Sequence, residues 1–145
     1  MRKMIAAAVV GLGLVVYGCS SSTTGGGSSL AGTWRGTATF TSSSPYGLNA
    51  TNAQTTAIIT QDGSNLGATV TVQVPTAYGT TADSATYSGS VSGSSLNLVR
   101  VASTSCPGGT TAIQGTVSGN TITFSVSGND CASRAVSATG SLTRV

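Results

Sequence analysis

The chain has 145 residues, of which only 6% are charged, and it contains neither His nor Glu. Its six Lys and Arg outweigh three Asp for a net charge of +3, yet no basic cluster forms, so nucleic-acid binding is excluded as a main role. Without His, Glu or any Lys beyond position 3, most acid–base, triad and metal chemistry lacks its usual side chains.

The first eighteen residues read as an address. Arg2 and Lys3 precede an uncharged apolar run from Ile5 to Tyr17, too short for the ~20 residues of a membrane-spanning helix. Val16-Tyr17-Gly18-Cys19 resembles the lipobox of bacterial lipoproteins. That resemblance implies a signal peptide over 1–18, cleavage before Cys19, and a diacylglycerol-bearing Cys19 whose amine carries a fatty acid such as palmitate. Ser20 directly after it resembles the pattern that permits export to the outer membrane. Residues 19–29 then form the lipidated Cys and a Gly/Ser/Thr tether with nothing to pack. From Ser20 onward four Arg face three Asp, so the folded part is nearly neutral.

From Leu30 to Val145 the period is two, and no helical periodicity is visible. Thr121-Ile122-Thr123-Phe124-Ser125-Val126 alternates hydroxyl and apolar side chains, as does the stretch from Leu66 to Val74. Such β-branched, half-apolar runs suit a pleated sheet with one buried face. Strands are expected at 32–41, 54–61, 66–74, 84–91, 95–102, 110–117, 121–127 and 134–144, an all-β fold. Short Gly-bearing turns at Asp62-Gly63, Ser92-Gly93 and Ser118-Gly119 alternate with longer connections at about 42–53, 75–83, 103–109 and 128–133. In an antiparallel meander this alternation sends the tight turns and both domain termini to one end, the base. The long loops gather at the other end, the mouth.

Eight such strands close into a soluble antiparallel up-and-down β-barrel, which leaves no exposed edge. Alternation places Trp34, Gly36, Ala38 and Phe40 inward, followed by Ile58, Ala68, Val70, Val72, Ala85, Tyr87, Gly89 and Val91. Leu96, Leu98, Ile113, Gly115, Val117, Ile122, Phe124, Val126, Val136, Ala138, Gly140 and Leu142 complete an apolar interior. Glycines recurring on that parity ease strand curvature. Gly32-Thr33-Trp34 resembles the Gly-x-Trp motif of lipocalins and the wider calycin group. The resemblance implies that Arg144, near the end of the last strand, packs across Trp34 at the base; these two close the barrel and carry no chemistry.

Cys106 and Cys131 fall in two mouth loops, and in an exported protein a pair so placed is expected to form a disulfide. No metal ligands and no cofactor are expected, and an enzyme is not. The mouth is ringed by Tyr46, Tyr78, Asn129, Asp130 and Arg134, with Arg100 on the inward parity of Leu98. Asp62 reads as turn chemistry; Asp83 and Asp130 read as loop residues. Three roles remain open. The barrel binds a small, apolar ligand at the mouth; or it is a protein-binding module of the envelope protease- or lysozyme-inhibitor type; or it is a structural surface lipoprotein with a filled barrel. In each case one partner is a membrane, through the N-terminal lipid; the first reading adds a small apolar ligand and the second an envelope protein.

Overall fold

The computed structural model describes residues 28–43, 49–76 and 79–145. Eight strands run in chain order: β1 (Gly32–Ser42), β2 (Ala50–Asp62), β3 (Asn65–Thr76), β4 (Gly79–Ser92), β5 (Ser95–Arg100), β6 (Ala112–Ser118), β7 (Thr121–Asn129) and β8 (Ala135–Arg144). Each pairs antiparallel with its chain neighbours, and β8 closes on β1 to complete the barrel. No helix among the described residues is long and apolar enough to cross a membrane. The apolar parity faces inward and Ser, Thr, Asn and Gln dominate the outside, the reverse of a membrane-spanning barrel.

Three two-residue loops end β2, β4 and β6 at the base, and each opens on a glycine at positive φ: Gly63 at 59°, Gly93 at 58° and Gly119 at 56°. A glycine leading the loop is the type II′ solution, whose twist matches that of the strands it joins. Inside the wall, Gly36 and Gly89 serve closeness rather than turning. A Cβ on Gly36 would overlap the Ser141 carbonyl oxygen of β8, and one on Gly89 the Asn97 carbonyl oxygen of β5. Strands that coil tightly around a narrow core bring backbone against backbone at those points.

The interior is built around Trp34, 1% exposed, with Ile59, Leu66, Tyr87, Leu96, Leu98, Ile113, Ile122, Val126 and Leu142. Two expectations need correction. Ile58 does not face inward: it is 54% exposed, and Ala53, Thr55, Ala57 and Ile59 are buried instead. The register decides this, because Trp34 pairs with Ala57, and Ala57 with Val70. Where two isoleucines adjoin, alternation alone cannot choose between them; the bulky indole opposite demands the small Ala57. The second correction concerns 75–83, which is no long loop. β3 and β4 continue as a hairpin to the pair Thr76–Gly79, and Asp83 lies within β4 opposite Val72.

Candidate functional site

The base is closed by a strap of residues that precede β1. Leu30 is buried, its N–H donates to Gln61 Oε1 at 2.6 Å, and its carbonyl accepts the Trp34 indole N–H at 2.9 Å. Arg144 pairs with Trp34 across β1 and β8, and its guanidinium carbon sits 5.6 Å from the indole centroid. That guanidinium also donates to the Ser29 carbonyl at 2.9 Å and to the Ala31 carbonyl. A cation on an aromatic face that also gathers strap carbonyls fixes where the chain enters the barrel. Trp34 and Arg144 therefore occupy the base, as the calycin resemblance implies; the strap around them is an addition. Gln61 and Leu30 gave no sequence pattern to mark them.

At the mouth, Cys106 and Cys131 are joined by a disulfide. It ties the loop after β5 to the connection between β7 and β8, closing 25 residues of chain. Arg100 is the last residue of β5. Its N–H donates to the Thr111 carbonyl at 2.9 Å, and its guanidinium lies along the disulfide, 3.9 Å from Cys131 Sγ. Gly109 makes this approach possible, since a Cβ there would come within 2.6 Å of Cys106 Sγ and 2.9 Å of Arg100 Nη1. One layer below, the Tyr87 hydroxyl shares a buried hydrogen bond of 2.9 Å with Thr111 Oγ1. Gly109 and Thr111 hold the loop down, and only the folded chain reveals them.

Asp130 and Arg134 satisfy each other. The Asp130 carboxylate accepts the backbone N–H groups of Ala132 and Arg134 at 2.9 Å and the Arg134 Nε and Nη2 at 2.7 Å. The Arg134 side chain, followed by those two backbone donors, holds the carboxyl below its ordinary pKa of 3.8. This is a turn with its own counter-ion, built between β7 and β8. Asn129 contributes through its backbone: its carbonyl accepts the Thr110 N–H at 3.1 Å, joining the two mouth loops a second time. Tyr46 and Tyr78 lie outside the described residues. Of the six residues expected at the mouth, Arg100, Asn129, Asp130 and Arg134 are thus brought to one end; Arg134 is paired with Asp130, while the Arg100 guanidinium lies by the disulfide.

Among the described residues, the barrel interior holds an apolar cavity of about 30 Å³ among Ala57, Ile59, Leu96, Ile113 and Phe124. That is room for roughly two waters by volume, against the roughly 300–1,000 Å³ of an ordinary ligand pocket. Among the described residues no three His, Cys, Asp or Glu side chains cluster as metal ligands.

The fold and the two ends together define an eight-stranded closed meander barrel, compatible with a calycin-like architecture. No protein-family model matches the sequence, and a search of curated proteins finds no significant match.

Proposed function

We propose that this chain is a lipid-anchored protein of the bacterial envelope, exposed at the outer membrane, whose filled barrel displays its mouth to a protein partner. The observation that carries the reading is the contrast between a nearly solid interior and a cross-linked mouth. A cavity of about 30 Å³ has no room for a lipid or cofactor, whereas loops mounted on a rigid wall are where binding residues gather. The strap places Leu30 at the base, which supports a tether leaving from that end and a mouth turned away from the anchoring membrane. The lipobox-like Val16-Tyr17-Gly18-Cys19 supports the anchor, and the calycin-like closure by Trp34 and Arg144 fits an exported barrel.

A second reading keeps the small apolar ligand. It is favoured by a cavity lining that is apolar apart from Thr55 and by the small side chains of Ala57 and Ala68 along it, which would let the interior widen. Native mass spectrometry of the chain from Ser20 to Val145, exported without its lipid, separates the two. The bare mass is expected; a reproducible added mass that leaves on denaturation would transfer the function to the interior. The anchor has its own test, because Cys19→Ala should abolish incorporation of labelled palmitate into the full-length chain.

A further inference from the structure

We propose that the chain pairs with a second copy of itself through the open edge of β4, antiparallel and centred on Ala82. β4 is fourteen residues long and β5 only six, so their ladder ends at the pair Tyr87–Arg100. One further bond, from the Val101 N–H to the Thr86 carbonyl at 2.8 Å, shows which way β4 groups point there. Alternate residues of a strand present their N–H and C=O to the same side. Ser84, Ala82 and Thr80 therefore aim theirs away from β3, toward the place that β5 has vacated. All three are exposed.

Neighbouring edges at the mouth are blunted and this one is not. On β3, Pro75 stands level with Thr80 and has no N–H to offer. On β2, Asn52 at φ 53° marks a shift in the β1–β2 register. Between Thr80 and Ser84 there is no proline, no bulge and a single charge, Asp83. Such an edge is a template for another strand.

Its own sequence is the strand that fits it. Antiparallel pairing about Ala82 sets Thr80 against the partner's Ser84, and Ala82 against the partner's Ala82. Each of three pairs then exchanges two backbone hydrogen bonds. Thr80 stands on the outer face beside the partner's Ser84, whose hydroxyl shares a 2.7 Å hydrogen bond with its own Thr71, and Thr81 stands opposite the partner's Asp83, where its hydroxyl can donate to the carboxylate. The two aspartates are only diagonal neighbours, roughly 7–8 Å apart, so no like charges are directly opposed. The interface is two-fold and self-complementary.

The test uses the chain from Ser20 onward, which contains the whole closed barrel and its strap. Sedimentation equilibrium should show a concentration-dependent dimer. Ala82→Pro removes an edge N–H in both copies without touching the β3 ladder, and should weaken association about tenfold or more. Ala82→Thr keeps the N–H and should dimerise like the parent. Under mild oxidation Ala82→Cys should cross-link two chains, while Thr80→Cys alone should not, because residue 80 faces residue 84. A chain that stays monomeric at about 1 mM overturns the proposal. So does a dimer indifferent to Ala82→Pro, or one in which Thr80→Cys cross-links as readily as Ala82→Cys. None of these readouts depends on a foreign partner at the mouth, so the two proposals fail separately.

Discussion

The two ends of this barrel hold themselves together by different means. The base is closed by glycines at positive φ in three tight loops, and by an arginine of the last strand laid over a buried tryptophan of the first that also gathers the strap carbonyls. The mouth has longer connections, and a disulfide, an aspartate-centred turn and the Tyr87–Thr111 hydrogen bond do that work there. The difference teaches that a barrel wall does not by itself fix its loops. Each end needs its own clamp: at the base a guanidinium that joins the first and last strands to the strap, at the mouth a covalent cross-link between two loops.

The largest effect is expected where the base clamp meets the core. Trp34→Ala removes the most buried large side chain and empties the space beneath Arg144, and should cost about 3–5 kcal/mol in chemical denaturation. A loss under about 1 kcal/mol would mean that the strap closes the base without it. At the mouth, replacing Cys106 and Cys131 together by Ser should cost about 3 kcal/mol, from the entropy of a 25-residue loop. Hydrogen exchange should then speed up in 101–111 and 130–134 while the base stays protected; uniform loss of protection would erase the distinction between the ends.

A smaller change probes the tight loops. Gly93→Ala meets no atom within 4 Å, so only its backbone at φ 58° is strained, and the expected cost is about 1 kcal/mol. The smallest effect belongs to Asp130. Its pKa is lowered on folding, so the stability it contributes is present above the ordinary value of 3.8 and drains away as the pH falls below it. Asp130→Asn should therefore melt below the parent at neutral pH, and the gap should close in acid. A gap that persists at low pH would assign the turn to its backbone hydrogen bonds alone.

Much of this was legible in the chain itself. The hydroxyl–apolar alternation of 121–126 and 66–74 gave the strands, the Gly-bearing turns gave their order, and Gly32-Thr33-Trp34 with Arg144 gave the base. Two neighbouring isoleucines misled the reading of β2, although Gln54, Thr56 and Thr60 on the parity of Ile58 already argued for the outside. The hydroxyl-rich 75–83 read as loop, because Thr, Ala and Ser outside a core carry no burial signal; cross-strand pairing with β3 makes it strand. Asp130 and Arg134 were legible as a surface pair as much as a binding pair, and their mutual hydrogen bonds favour the former.

By itself, then, the sequence determined the period, the number of strands and the kinds of turn, because these depend on residues close along the chain. Register, the end of the β4–β5 ladder at Tyr87–Arg100, the position of Gly109 under Arg100 and the small size of the interior cavity were decided only in the tertiary structure. They depend on which backbones come side by side once the barrel closes, and no local pattern encodes that distance.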